Sequence, residues 1–299
     1  MLVIFIFIDG VGVGKKNPNN PLSENGWSFF TEFTGTAGLD ESNDPVQTDK
    51  FLYKPIDANL DVEGLPQSGT GQTTLFSGVN ASKIAGKHYG PFPYSTTRFL
   101  LEQESLFHKV IEMGKLPVFM NAYPEIFFRK AAKRDRWTAT TLMTRSAGIE
   151  LKTTKDILKG EAVTAEIRQN IWREQLGLDV PEITVIEAAE RLLRAGETSD
   201  LVLYEFYLTD KAGHSLNRAY ADEIRDLLNP FLKYLAESIS ENDTLVISSD
   251  HGNLEDISIK THTRNPVPLL VKGETSYFEN AESIADVTPG IVKLLKESN

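Results

Sequence analysis

The chain opens with an uninterrupted apolar run, Leu2–Ile8, built almost entirely from β-branched and aromatic residues. Such a run is typical of a strand buried on both faces, as in a parallel sheet covered by helices. Further strand candidates alternate with segments whose apolar residues lie three and four positions apart, as in helices. This alternation predicts an α/β fold, with a doubly wound, mostly parallel central sheet and helices on both faces. The other strand candidates are Pro117–Met120, Leu201–Leu208, Thr244–Ser248 and Val267–Val271, and the helix candidates are Leu100–Glu112, Ile186–Ala195, Tyr220–Ser238 and Ser283–Lys296.

At 299 residues the chain suits one large α/β domain, and we expect a single domain over residues 1–299. Tyr123–Pro181 departs from the core pattern, and it predicts a small helical cap or insertion over approximately residues 123–181. Its basic cluster either recognises an anionic substrate or, as we favour, is a solvated helix face. Asn17–Asp57, rich in Gly, Pro, Asn and Thr, is predicted to be a long surface excursion. The basic residues are Arg129, Lys130, Lys133, Arg134 and Arg136.

The charge and composition narrow the possible partners. The net charge of −11 argues against nucleic acid and against an anionic membrane surface as partners, although a bound metal can reverse the sign locally. No apolar stretch reaches the ~18 residues of a membrane span, so we expect a soluble, cytoplasmic protein. The chain has no cysteine, so any metal must be held by carboxylate, imidazole and hydroxyl groups. Nothing in the sequence indicates an oligomeric state.

Carboxylates and histidines follow the predicted strands. Asp9 comes after the first strand, and the Asp210–His214 and Asp250–His251 pairs come after two later ones, while His262 precedes the last strand. Ligands of open α/β sheets bind at the carboxyl ends of strands, and imidazole with carboxylate suits Zn²⁺, Mn²⁺ or a similar ion. Each feature alone has a plain alternative: a helix cap at Asp9, a solvated helix face at Asp210–His214, a turn at Asp250–Gly252. Together they predict a metal site.

A second element is the small-residue segment Leu65–Gly78, which runs into a predicted short helix. Hydroxyl and backbone N–H groups at a helix N-terminus can bind an anion, and an activated hydroxyl can be a nucleophile. Ser68 and Thr70 are the main hydroxyl candidates, and an ordinary capping turn is the alternative.

In order along the chain, these motifs resemble the alkaline phosphatase superfamily of two-metal enzymes. That superfamily includes cofactor-independent phosphoglycerate mutase, phosphopentomutase, nucleotide pyrophosphatases/phosphodiesterases and the sulfatases. The stretches Asp9-Gly10-Val-Gly-Val-Gly and His262-Thr263-x2-Pro266-Val267-Pro268 are most similar to the mutase branch, and Ala285–Gly290 resembles the entry to the superfamily's last helix. The lack of cysteine makes a sulfatase unlikely.

The resemblance implies two divalent ions, Mn²⁺ or Zn²⁺, and a serine nucleophile on or between them. The spacing to Gly78 favours Ser68 over Thr70 as that nucleophile, and His88 is implied as a weaker candidate for substrate binding, a surface turn being the alternative. Two such cations clamp the attacking and leaving oxygens of a phosphoryl displacement. One ion is implied at Asp210, His214 and His262, and the other at Asp9, Asp250 and His251.

The function expected from the resemblance is metal-dependent hydrolysis of a small phosphorylated substrate, by a phosphatase or phosphodiesterase that forms a phosphoseryl intermediate. A phosphomutase of the phosphoglycerate mutase or phosphopentomutase type is the alternative. It is disfavoured because the span between Ser68 and Asp210 leaves little room for a domain that seals the site. A non-catalytic metal-binding protein on the same fold is the third possibility.

Overall fold

The computed structural model describes residues 1–23, 27–36 and 38–298. Seven strands form one sheet in the order β2-β3-β9-β8-β1-β7-β4, and β5 pairs with β6 apart from it. The strands are β1 (Val3–Ile8), β2 (Val46–Gln47), β3 (Phe51–Ile56), β4 (Pro117–Phe119), β5 (Ala122–Tyr123), β6 (Lys152–Thr153), β7 (Leu201–Phe206), β8 (Thr244–Ser248) and β9 (Val267–Lys272).

Helices cover both faces of this sheet. None of those in the described residues is long and apolar enough to cross a membrane. They are α1 (Ser28–Thr34), α2 (Ser68–Ser77), α3 (Ala81–Ala85), α4 (Arg98–Gln103), α5 (Leu106–Glu112), α6 (Glu125–Arg134), α7 (Ala139–Ser146), α8 (Thr154–Lys159), α9 (Asn170–Glu174), α10 (Val185–Ala195), α11 (Leu208–Ser215), α12 (Arg218–Ser238) and α13 (Val287–Glu297), which follows a 3₁₀ turn at Ile284–Asp286.

Strand β1 is the centre of the sheet, paired in parallel with β7 on one side and β8 on the other. All six of its residues are buried. Because successive side chains point to opposite faces, Ile4 and Ile6 join the core beneath α1, α10 and α12, whereas Phe5 and Phe7 join the core beneath α2, α5 and α13. The predicted fold class, an α/β sheet with helices on both faces, is confirmed.

One side of the sheet is antiparallel. Strand β9 runs antiparallel to β8, and β3 runs antiparallel to β9 over all six of its residues. The chain between β8 and β9 is irregular and contains no crossover helix, so it returns in the opposite direction. The four strands β8, β1, β7 and β4 form the parallel part, and their carboxyl ends lie at one edge.

The interpretation of Asn17–Asp57 as a surface excursion is wrong. This segment contains α1, whose residues Phe29, Phe30 and Phe33 are buried, and it contains β2 and β3 of the main sheet. The rings of Phe30 and Tyr53 meet edge to face with centroids 4.9 Å apart, so the segment extends the core. Its Gly- and Asn-rich turns dominate the composition, so the sequence pattern did not indicate the two short elements that join the core, α1 and β3.

Two smaller differences concern helices. The predicted helix Leu100–Glu112 is two helices, α4 and α5, separated at Glu104–Ser105. In the predicted insertion, α7 is largely buried and packs on α4, whereas α8 and α9 form a small separate core around Ile157 and Trp172. The division into one domain with an insertion at 123–181 stays a prediction.

Candidate metal centre

The parallel strands deliver the predicted ligands to one edge of the sheet. Asp9 directly follows β1, and Asp250 and His251 follow β8 after one residue. Asp210 and His214 lie one turn apart on α11, which begins just beyond β7. Because β7, β1 and β8 are neighbours, these side chains converge, and His262 reaches them from the loop that precedes β9.

The first group consists of Asp9, Asp250 and His251, whose ligand atoms lie within 4.8 Å of one another. Nε2 of His251 is 3.4 Å from Oδ1 of Asp9 and 3.5 Å from Oδ2 of Asp250. Within the described residues, both of these carboxylate oxygens are buried and have no hydrogen-bond partner. Two orphaned carboxylate oxygens beside an imidazole nitrogen are the arrangement that a divalent cation would satisfy.

The electrostatics of this group support the same conclusion. Burial and repulsion from Asp250 raise the pKa of Asp9 well above its usual value, and burial together with Asp210 raises the pKa of Asp250 to about 7. Buried carboxylates in contact resist ionisation together, and a bound cation removes this cost.

The second group is built around Asp210. Its Oδ1 is 3.4 Å from Nε2 of His262, and its Oδ2 is 3.4 Å from Nε2 of His214. Nδ1 of His262 is 2.7 Å from the carbonyl oxygen of Pro66, and Nδ1 of His214 is 2.7 Å from that of Lys260. If each Nδ1–H donates to its carbonyl, each Nε2 keeps a lone pair for a cation, which is the usual support of a metal-ligating histidine.

Asp210 is the ionised member of the site. Its burial opposes ionisation, but the hydrogen bond with His262 and the nearby His251 outweigh it and lower the pKa of Asp210 to about 2. Burial is the main cause that lowers the pKa of His251, with a further contribution from His262, to about 3. His251 is therefore neutral, as a metal ligand must be.

His251 belongs to both groups. Its ligand atom also lies within 4.8 Å of those of Asp210 and His262, so the two groups share a side chain. The residues predicted as two independent ligand sets form one continuous cluster.

Ser68 stands at the first helical position of α2, and its Oγ is 3.0 Å from Nε2 of His251. Thr70, the competing hydroxyl, is fully buried, and its Oγ1 accepts a hydrogen bond from the backbone N–H of Tyr89. Gly69, between them, lies so close to the carbonyl oxygens of Phe92 and Tyr89 that a Cβ would collide with both. The geometry thus favours Ser68 as the hydroxyl available to a ligand.

The sequence pattern did not identify several residues that form hydrogen bonds with the metal ligands or with the loops that carry them. Nε2 of Gln72 donates to Oδ2 of Asp9 over 3.2 Å, and Nδ2 of Asn253 donates to Oδ1 of Asp210 over 2.6 Å. Oγ1 of Thr209 donates to the carbonyl oxygen of Asp9, and a carboxylate oxygen of Glu255 accepts from the N–H of Gly12. Gln72 and Asn253 each lie within four residues of a predicted site residue, and that proximity is the signal that could have found them.

His88 and the basic cluster are not brought to the metal groups. Nδ1 of His88 is 3.2 Å from Oγ of Ser82, and its Nε2 is 3.3 Å from the carbonyl oxygen of Val62. Both ring nitrogens are therefore engaged within the fold. The cluster Arg129–Arg136 lies on or just after α6, and its basic side chains are exposed.

A cavity of about 470 Å³ adjoins the cluster. Asp9, Ser68 and Asp210 lie at its metal-facing end. The remaining walls come mainly from the loop at Pro91–Phe92, from β5, α6 and α9, and from the carboxyl end of β7. Tyr123–Pro181 therefore contributes to the cavity even though its basic residues do not line it. Buried ligands, a hydroxyl group and an adjoining cavity together define a candidate active site.

The buried ligand groups form a candidate metal centre, and comparison with known proteins points in the same direction. Residues 173–299 match the family model described as the Metalloenzyme superfamily. The chain is similar to 2,3-bisphosphoglycerate-independent phosphoglycerate mutases: it is 32% identical over 158 residues to that of Methanosarcina mazei (46% of this chain, 36% of the relative) and 29% identical over 124 residues to that of Desulforudis audaxviator (38% and 24%).

Solved structures share the fold. Alkaline phosphatase from the Antarctic bacterium TAB5 superposes with a TM-score of 0.55 at 12% identity, over 100% of this chain and 98% of that one. Leishmania mexicana phosphoglycerate mutase gives 0.50 at 10% identity, over 99% and 95%. These superpositions confirm the predicted alkaline-phosphatase-like fold. The matched regions span only a quarter to about a third of the length of the mutase relatives.

Proposed function

We propose that this protein is a metal-dependent phosphoester hydrolase, a phosphatase or phosphodiesterase, in which Ser68 is the nucleophile. The observation that carries this proposal is the position of the Ser68 hydroxyl, which lines the cavity and lies 3.0 Å from the histidine shared by both ligand groups. The substrate is a small phosphorylated molecule. Neither nucleic acid nor a membrane is a proposed partner, in line with the net charge of −11, and the proposed compartment is the cytoplasm.

The residues present fit two divalent ions, Mn²⁺ or Zn²⁺. Asp9, Asp250 and His251 would hold one ion, and Asp210, His214 and His262 the other, with the Ser68 oxygen adjacent. When bound, the ions supply positive charge that lowers the pKa of a nearby hydroxyl and neutralises developing charge on phosphoryl oxygens.

The chain's own part begins with Ser68. Its oxygen attacks phosphorus, the bond from phosphorus to the alcohol oxygen breaks, and the alcohol leaves with a proton. The N-terminus of α2 favours the negative charge that develops there. Water then attacks phosphorus, the bond between the serine oxygen and phosphorus breaks, and the serine hydroxyl is restored. Inorganic phosphate leaves when the substrate is a monoester, and a phosphomonoester leaves when it is a diester.

Access of water to the cavity supports hydrolysis. Leu176 and Tyr207, which line it, are 42% and 43% exposed. Water can therefore enter the cavity that Ser68 lines, although the Ser68 side chain itself is buried. Retention of the phosphoryl group for transfer to a second hydroxyl requires exclusion of water.

A phosphomutase is the second candidate, because the relatives matched at 29% and 32% identity are phosphoglycerate mutases. One experiment separates the two. Metal-stripped protein receives Mn²⁺, Zn²⁺ or Mg²⁺ and a panel of phosphomonoesters and diesters, and free phosphate, released alcohol and rearranged ester are all measured.

We expect release of alcohol, accompanied by free phosphate when the substrate is a monoester, that depends on added metal and disappears in Ser68→Ala. Rearranged 2- or 3-phosphoglycerate without free phosphate would establish the mutase instead. A lack of turnover with every metal and ester would contradict both and would support a non-catalytic metal-binding protein.

A further inference from the structure

The walls of the cavity beyond its metal-facing end are aromatic and apolar. Phe92, Tyr123, Phe127, Trp172 and Tyr207 all line it. The rings of Tyr123 and Phe127 lie with centroids 4.2 Å apart, so they form a continuous surface. Aromatic surfaces of this kind take large, flat apolar groups.

The charged residues of the same cavity are all acidic. Asp9, Asp210 and Glu205 line it, and among the described lining residues there is no lysine, arginine or histidine. Arg136 comes near, with its guanidinium 5.8 Å from the centroid of Phe92, but its side chain is exposed and is not part of the lining. An anionic group on the alcohol part of a substrate would therefore lose its hydration without gaining a cationic partner.

Glu205 is the polar feature of this otherwise apolar part. It is 7% exposed, and Oγ1 of Thr140 donates to its Oε2 over 2.6 Å. Asn121 fixes its backbone from both sides, accepting from the N–H of Glu205 and donating to its carbonyl oxygen. A carboxyl group held so firmly can select a hydrogen-bond donor on a ligand.

We propose that the cavity selects phosphoesters whose alcohol part is uncharged and largely aromatic or apolar, and that Glu205 recognises a hydrogen-bond donor on it. This inference rests on the proposed function and names its substrate class. It sets the chain apart from an enzyme for a carboxylate-bearing phosphoester such as phosphoglycerate, whose negative alcohol part these walls would reject.

Three benzylic esters with similar leaving groups test the proposal: benzyl phosphate, 4-carboxybenzyl phosphate and 4-(hydroxymethyl)benzyl phosphate. We expect kcat/KM for the carboxy ester to be at least tenfold below that for benzyl phosphate. We expect the hydroxymethyl ester to exceed benzyl phosphate several-fold. Equal or faster turnover of the carboxy ester, or of 3-phosphoglycerate, would overturn the proposal.

Variants test the residues separately. Phe127→Ala should lower the ratio of kcat/KM for benzyl phosphate to that for methyl phosphate about tenfold, because methyl phosphate does not reach the aromatic wall. Phe128→Ala is the matched control, since Phe128 is the next aromatic residue of α6 and does not line the cavity. An unchanged ratio of the two esters in Phe127→Ala would contradict the aromatic subsite. Glu205→Met removes both side-chain oxygens at similar volume and should abolish the preference for the hydroxymethyl ester. A preserved preference in this variant would show that Glu205 does not recognise the donor.

A binding measurement separates this inference from the proposed reaction. Benzylphosphonate cannot be hydrolysed, and its binding to metal-loaded protein should change the fluorescence of Trp172, with Trp172→Phe as the control. Tighter binding of benzylphosphonate than of its 4-carboxy analogue supports the substrate class even if no ester turns over. The reverse order overturns the substrate class even if turnover confirms the hydrolase.

Discussion

The imidazole rings of His251 and His262 are stacked, with centroids 3.8 Å apart and an angle of 16° between their planes. His251 is fully buried, and burial lowers its pKa. His262 has the opposite behaviour, because its hydrogen bond with Asp210 overcomes the effect of burial and raises its pKa. The stack places the two ligand groups in contact, so we expect a substitution in one group to alter metal binding in the other.

This connection predicts unequal effects of histidine substitutions on metal content. Reconstituted wild-type protein should approach about two equivalents of Mn²⁺ or Zn²⁺, as a two-metal site requires. His214→Ala should lose about one equivalent, whereas His251→Ala should lose most of both, because its ligand atom lies within both groups. Elemental analysis after gel filtration measures this.

His108→Ala is the control for that experiment, since His108 lies on α5, outside the cluster, and its Nδ1 is hydrogen-bonded with Oγ of Ser105, the residue before that helix. Metal content near zero in the wild type with every divalent ion would contradict the metal centre. Equal losses of metal in His214→Ala and His251→Ala would show that His251 does not serve both ligand groups.

The second prediction concerns the nucleophile. Ser68→Ala should lower turnover by at least about a thousandfold and leave fold and metal content intact, because it removes the attacking oxygen. Thr70→Ala removes a buried hydrogen bond to Tyr89, so it should cost about 1 kcal/mol of stability and at most about tenfold in turnover.

Acid quenching during turnover followed by mass spectrometry should find phosphate on Ser68. Phosphate on Thr70, or near-full activity of Ser68→Ala, would show that the other hydroxyl attacks.

The third prediction follows from the close approach at Gly69. A Cβ at this position collides with backbone carbonyl oxygens of Phe92 and Tyr89, so Gly69→Ala must displace the start of α2 and Ser68 with it. We expect loss of both thermal stability and turnover. In Gly114→Ala the Cβ meets open space, and only the strain of a φ of 74° remains, about 1–2 kcal/mol, with turnover unchanged. Full activity in Gly69→Ala would show that the loop containing Tyr89 and Phe92 can move to accommodate the added Cβ without displacing Ser68.

The fourth prediction is a pH dependence of stability due to Glu205. Burial raises the pKa of Glu205 from 4.5 to about 7. Between these values the folded state keeps a proton that the unfolded chain releases, so the stability of the metal-free protein should fall as the pH rises through this window. The full shift corresponds to about 3 kcal/mol.

In Glu205→Gln this contribution disappears, so the decline from pH 5 to pH 7.5 should be shallower by about that amount. Urea denaturation of both proteins at each pH measures the difference. Asp9 and Asp250 remain in both proteins, but repulsion from Glu205 helps to raise the pKa of Asp9, so relief of that repulsion in Glu205→Gln adds to the measured difference. Parallel pH profiles would mean that Glu205 is already ionised in the folded protein.

The core of the fold and the ligand cluster could be predicted because each has a strong local signal. A strand buried on both faces, such as β1, must be apolar at every position. Parallel neighbours then place the residues that follow them, Asp9 and Asp250, at one edge without any knowledge of side-chain contacts. The predicted strands Thr244–Ser248 and Val267–Val271 are confirmed almost to the residue as β8 and β9.

The parts that escaped prediction depend on contacts between distant segments. Strand β3 is recognisable only through its pairing with β9, more than 200 residues later. The aromatic wall combines Phe92, Tyr123, Phe127 and Trp172, which share no spacing or local pattern. Glu205 lies inside the apolar strand β7, and its hydrogen-bond partner Thr140 comes from α7, which is distant in sequence. The sharing of His251 depends on a side-chain direction that spacing does not encode.

The distance along the chain between Ser68 and His251 is 183 residues, and Gly10 and Asp250 are 240 apart. Contacts of such long range form late, because the loops that they close carry a high entropic cost. Strand β8 and the loop that follows it must therefore be synthesised before an ion can be enclosed. A cut between Ser68 and β7 would divide the nucleophile from most of the ligands. Metal capture should consequently report completion of folding, and it should be absent from shorter fragments that contain either half alone.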